Sequence, residues 1–124
     1  MKILALDYGS ARTGIAVSDP TGTLARPLTT IQHVTTEPGF AKLLAVIEAE
    51  DPELVVVGLP LTLRGEQGAQ ARETAGFTER LRGRLAVRVE TFDERFTSVL
   101  ADGDDARAAA HLLSGYLEWR AGRS

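Results

Sequence analysis

The chain opens with a continuous apolar run, Ile3-Leu4-Ala5-Leu6, which Asp7 ends. A run without alternation suits a central strand covered on both faces, so Lys2–Tyr8 is predicted as a strand. Gly9-Ser10-Ala11-Arg12 follows as a tight turn and Thr13–Ser18 as a second strand, which together make a hairpin. Asp19-Pro20-Thr21-Gly22 carries turn chemistry. Leu24–Val34 reads as a third, less regular strand. Pro27 within it points to a sheet edge, where a missing N–H costs no ladder bond. Phe40, Leu43, Leu44 and Ile47 share one face of a helix over Phe40–Glu50, with Thr36 as its cap and Pro38 near its start. Asp51-Pro52 ends it. Leu54–Val57 is another buried strand, closed by Gly58-Leu59-Pro60. After a polar loop from Thr62 to Gly68, Ala69–Leu85 forms an amphipathic helix with Ala71, Ala75, Thr78, Leu81 and Leu85 inward. Ala86–Phe92 alternates with period two, as a strand does. The last helix runs from Asp104 to Ala121, with Ala108, Leu112, Leu113, Tyr116 and Leu117 on its apolar side.

The order is β-β-β-α-β-α-β-α. Three antiparallel strands followed by βαβ crossovers define a mixed five-stranded sheet flanked by helices. This is an α/β arrangement of the ribonuclease H-like kind. A doubly wound dinucleotide fold would instead alternate from the start and open on a glycine-rich fingerprint. The length, 124 residues, suits a single domain over 1–124. It allows roughly two-thirds of the unfolded surface to be buried.

Cysteine is absent, which excludes disulfides, thiolate metal sites and cysteine nucleophiles and is consistent with a cytoplasmic setting. The four apolar residues after Lys2 are too few for a signal-peptide core, and no stretch approaches a membrane span. Net charge is −3, but its distribution says more. From Arg64 to Arg88 there are six arginines (64, 72, 80, 82, 84, 88) against three glutamates (66, 73, 79), a local excess of +3. The acids gather elsewhere, at Asp93, Glu94, Asp102, Asp104 and Asp105. A basic flank beside an acidic cluster is what metal-dependent cleavage of a polyanion requires. An arginine-rich solvated helix face is the plain alternative.

Asp7 ends a wholly apolar strand, where active sites form in open α/β sheets. A charge there is costly unless paired or bound to metal, although a turn-capping role is the competing reading. Asp93-Glu94-Arg95 follows the last strand, and its acids and arginine could serve metal and phosphate or form a surface salt bridge. Asp104-Asp105 opens the last helix, where acids ordinarily compensate the helix dipole. The case rests on the set: three acids from two strand ends and a helix start can converge at one sheet edge. Hard divalent cations, Mg2+ or Mn2+, take oxygen ligands. Two of them activate a water and stabilise the leaving oxygen of a phosphodiester. His33 and His111 lack metal-ligand spacing, the serines lack a nucleophile-elbow context, and there is no P-loop.

Residues Leu6 to Asp19 (Leu-Asp-Tyr-Gly-Ser-Ala-Arg-Thr-Gly-Ile-Ala-Val-Ser-Asp) resemble the opening motif of the YqgF (RuvX) family. Val56 to Leu61 resembles its second motif, and Phe92 to Ser98 its Asp-Glu-Arg motif. Asp105 with Ala108-Ala109 and Leu112 to Leu117 resembles its C-terminal helix. The resemblance spans nearly the whole chain in the same order. It implies a ribonuclease H-like nuclease related to Holliday-junction resolvases, maturing the 5′ end of pre-16S ribosomal RNA or resolving junctions. It assigns Asp7, Glu94 and Asp105 as the three acids, with Asp93 and Asp104 able to assist. Arg12 and Arg95 would contact phosphate or brace the acids, and Arg64 and Arg72 would join them on nucleic acid. The chain departs from the family in one place. Only nine residues, Thr97 to Asp105, follow Phe96, where members usually carry a longer, lysine-rich segment.

The expected activity is phosphodiester hydrolysis of structured nucleic acid, either pre-rRNA or branched DNA, by a monomer or homodimer away from membranes. Junction resolution would need a dimer, to which Tyr116, Leu117 and Trp119 could lend an apolar patch. Two other classes compete. Actin-like kinases and ATPases share the first motif but need two such domains around a nucleotide. A non-catalytic ribosome-assembly module would show no metal-dependent cleavage.

Overall fold

The computed structural model describes residues 1–60, 64–65, 67–93 and 105–123. The strands are β1 (Ile3–Asp7), β2 (Arg12–Ser18), β3 (Ala25–Gln32), β4 (Leu54–Leu59) and β5 (Arg88–Asp93). The helices are α1 (Glu37–Glu50), α2 (Ala69–Arg82) and α3 (Asp105–Ala121). Sheet order is β3-β2-β1-β4-β5. The β1–β2 and β2–β3 pairs are antiparallel, and β1–β4 and β4–β5 are parallel.

The unbroken apolar run of β1 has its explanation in two separate cores. Leu4, Leu6 and Tyr8 join Phe40, Leu43 and Ile47 of α1 and Phe77 and Leu81 of α2 on one face. Ile3 and Ala5 join Ala109, Leu112, Leu113 and Tyr116 of α3 on the other. Both faces are dry, so neither tolerates polar alternation. Strand β3 lies at the edge, as Pro27 requires, and the β2–β3 register shifts between Ile15 and Ala16.

Local chemistry fixes the ends of α1. The Thr36 hydroxyl accepts the Gly39 N–H at 3.2 Å and donates to the His33 carbonyl at 2.7 Å. Asp51 closes the helix in the left-handed region (φ 49°), with its N–H on the Ile47 carbonyl.

The inward face of α2 differs from the expected one. Thr74 and Phe77 are buried, Ala75 and Leu85 only half-buried, and the helix stops at Arg82. The Phe77 ring sets this phase, with centroids 4.5 Å from Tyr8 and 6.0 Å from Phe40, because an aromatic buries far more area than an alanine. In α3, Ala106 and Ala109 are buried and Ala108 is half-buried. Tyr116 and Leu117 belong to the core, leaving Trp119, 47% exposed, as the one large apolar side chain of α3 at the surface. Among the described residues, no helix is long and apolar enough to cross a membrane.

Gly76 lies mid-way along α2, exposed, and a Cβ built there meets nothing within 4 Å. Glycine inside a helix costs conformational entropy without compensation here. Gly76→Ala should therefore raise unfolding stability by about 0.5–1 kcal/mol, measured by urea denaturation.

Candidate active site

Strands β1, β4 and β5 run parallel, so their C-terminal ends share one edge of the sheet. Asp7 ends β1, Leu59 ends β4 and Asp93 ends β5. Helix α3 begins beside them. Asp7 is the register partner of Gly14 on β2. A Cβ on Gly14 would overlap the Asp105 carbonyl oxygen and lie 2.8 Å from the Ala106 nitrogen. The missing side chain therefore lets the first turn of α3 rest directly on β2, bringing Asp105 to Asp7. A glycine inside a strand signals such close backbone approach. The sequence alone shows Gly14 within a strand motif and not what approaches it.

Strand alternation directs Asp7 to the α3 side, in phase with Ile3 and Ala5. Burial, and then the neighbouring Asp105 charge, push its carboxyl up from the ordinary 3.8 to about 6. Among the described residues, Asp7 has no hydrogen-bonding side chain and no ion pair. The Arg12 guanidinium, at 3.3 Å, balances Asp105 from the solvent side. Arg12 is thus ion-paired with one of the candidate acids.

Tyr8 points to the opposite face. Its hydroxyl donates to Glu73 Oε2 at 2.7 Å, tying the start of α2 to the end of β1. Burial and the Glu73 carboxylate raise the phenol above its usual range. This link has no sequence signature, because the two residues lie 65 positions apart.

The other expected site residues divide into three groups. Asp93 reaches the same edge, but in strand phase with Val89, whose side chain is in the α1/α2 core. Glu90 and Phe92 are in the α3 phase: Glu90 accepts the Tyr116 hydroxyl at 3.0 Å, and Phe92 stacks edge-on against Tyr116 at 5.3 Å. Glu94, Arg95 and Asp104 lie outside the described residues. Arg64 and Arg72 are exposed near the start of α2, and Arg72 Nη1 donates to the Gln67 carbonyl at 3.1 Å.

The arginines from 80 to 88 do not flank the acids. Helix α2 runs back from that edge, and Arg82 donates to the Val89 carbonyl at 2.9 and 3.1 Å near the start of β5. Arg82 also pairs with Glu79, and Arg88 pairs with Glu90 at 3.0 Å. A charge count along the sequence cannot reveal that pairing.

The donor set fits a hard divalent cation. A partly buried carboxyl that has no partner cation among the described residues and lies beside a second carboxylate favours a proton or a bound cation, and both donors are oxygens. Asp7 and Asp105 supply two acids. No cluster of three potential ligands occurs among the described residues.

Known structures share this framework. The Thermus thermophilus RuvC in complex with a Holliday junction superposes with a TM-score of 0.63, covering 98% of this chain and 96% of that one at 18% identity. The protein is thus of the ribonuclease H-like α/β class, with one acid at the end of β1 and a second at the start of α3. The RuvX family's sequence model, described as Holliday junction resolvase, matches residues 1–119, and the chain belongs to that family. A Chloroflexus aurantiacus relative provisionally named pre-16S rRNA nuclease is 46% identical over 100 residues. The match takes in 81% of this chain and 65% of the relative's length. A relative of the same provisional name from Anaeromyxobacter is 37% identical, over 97% of this chain and 98% of its own.

Proposed function

We propose that the protein is a divalent-metal-dependent endonuclease that cuts structured RNA, processing the 5′ end of pre-16S rRNA. One observation carries the reading: Asp7, without an ion-pair partner among the described residues and with its carboxyl raised by burial, stands beside Asp105 at the strand-end edge of the sheet. The provisional names of the relatives supply the substrate.

Asp7, Glu94 and Asp105 would hold Mg2+ or Mn2+, with Asp93 and Asp104 as neighbouring acids. Bound there, the ion supplies an activated water and charge stabilisation of the leaving oxygen. Asp7 anchors the site because β1 is central and fixed on both faces. Asp105 is held by the seat of α3 on Gly14, and Arg12 orients it. Arg12 is 57% exposed at its side chain, so it can also reach a phosphate without breaking the core. Arg64, Arg72 and Arg95 would add contacts to the backbone of the nucleic acid.

The family description favours a second substrate, the four-way DNA junction. That reaction needs paired cuts and hence a dimer. The test incubates the protein with a 5′-extended RNA stem and with a four-way DNA junction, each with and without Mn2+. Metal-dependent cleavage at a defined position in the RNA is expected. Cleavage of the junction alone, by a dimer, would transfer the assignment to a resolvase. No cleavage of either substrate would leave a binding module.

A further inference from the structure

We infer that α2 carries a phosphate track leading away from the acidic edge, on which the RNA flanking the cleavage point lies. The inference rests on the nuclease reading and extends it from the site to the substrate's footprint. Positions 72, 76 and 80 are spaced by four, so they stack along one helical ridge, and Arg84 continues the series in the turn beyond. All four positions are exposed. From Arg72 to Arg80 the rise is about 12 Å, enough to meet several successive phosphates of one strand.

Both glutamates of α2 are engaged elsewhere: Glu73 accepts from Tyr8, and Glu79 pairs with Arg82. Among the described residues, none of Arg72, Arg80 and Arg84 is in an ion pair. What holds them is neutral. Arg72 donates to the Gln67 carbonyl and Arg80 to the Thr35 carbonyl, each at 3.1 Å. The Arg80 guanidinium lies 3.9 Å over the Phe40 ring, and that of Arg84 lies 5.8 Å from the same centroid. Arg80 stands in the last turn of α2, where a cation suits the helix dipole, and Arg84 lies beyond the helix end. Planar guanidiniums fixed against a ring are, however, pre-set for phosphate oxygens. Between the arginines stands Gly76, where no side chain holds a backbone away. Arg84 itself lines a cleft with Glu48 and Asp51, so the surface changes sign at Arg84 and the track ends there.

Gly76 offers a test that leaves every contact of the fold intact. Gly76→Glu, Gly76→Arg and Gly76→Gln would be placed in the cleavage-deficient Asp7→Asn background. Affinity for a 5′-extended RNA stem would be followed by fluorescence anisotropy across a salt series. Gly76→Glu should weaken binding about three- to tenfold at low salt, and Gly76→Arg should tighten it to a similar degree. Gly76→Gln should stay within about twofold of the parent, with melting temperatures at or above it. An Arg80→Gln/Arg84→Gln pair should flatten the log–log salt slope by roughly 1.5 to 2, the loss of two phosphate contacts. Equal binding by the three Gly76 variants, or effects confined to a four-way DNA junction, would overturn the track. Cleavage of the same RNA by the otherwise wild-type chain separates the two failures. Metal-dependent cutting with indifferent ridge variants removes only this inference, whereas absence of cutting removes the nuclease reading beneath it.

Discussion

Asp7→Asn should cut the cleavage rate more than about a hundredfold, the scale seen when one pre-organised electrostatic group leaves a site. The same change should make the metal-free protein more stable at pH 7. The sign follows from proton binding. Folded Asp7 holds its proton to about pH 6, whereas the ordinary carboxyl releases it near 3.8. Stability from this group is therefore full below about pH 4, falls as pH climbs to about 6, and stays low above. Asparagine carries no charge to desolvate and does not repel Asp105. With solvent screening of a partly exposed group allowed for, the gain is about 1–2 kcal/mol at pH 7. Urea denaturation in chelator at pH 7 and pH 4 checks both parts: a gap between the two proteins at pH 7 that closes at pH 4. A carboxyl that destabilises its own fold points to function, because packing alone would have favoured an amide.

The second large effect belongs to a residue with no side chain. Gly14→Ala places a methyl where the Asp105 carbonyl now sits, so α3 must lift from β2 or the strand must bend. Overpacking of this kind costs roughly 1–3 kcal/mol, and more where backbone is the obstacle. Because α3 carries Asp105, the acids separate even in molecules that fold. Cleavage should fall steeply while RNA affinity declines much less, a kcat loss without a matching KM change. The Asp7 titration, followed by the side-chain carboxyl NMR signal, should move back toward the ordinary range as Asp105 withdraws.

Much of the framework was legible in the residues. Ile3 to Leu6 suited a two-sided central strand, Pro27 belonged at an edge, and Thr36 capped the helix it was expected to cap. Ala75 and Ala108 were less legible, because alanine adds little area to either face and larger neighbours set the helix phase. Asp7 stood out because a charge closing an apolar strand needs a reason. Asp105 did not, since an acid in a first helical turn is ordinary. Its nearness to Asp7 depends on Gly14, 91 positions earlier in the sequence. The arginines misled as a group: six in one segment suggested a single surface, but pairing with Glu79 and Glu90 and the direction of α2 divide them. What sequence position could not show was which charges the fold had already spent.

Calorimetric titration of Mn2+ into the wild-type chain and its Asp7→Asn, Glu94→Gln and Asp105→Asn variants tests most directly whether these three acids share divalent ions. The account predicts saturable binding by the wild type, weakened about tenfold or more by each substitution. Equal affinity in the wild type and the Asp7→Asn and Asp105→Asn variants would contradict it.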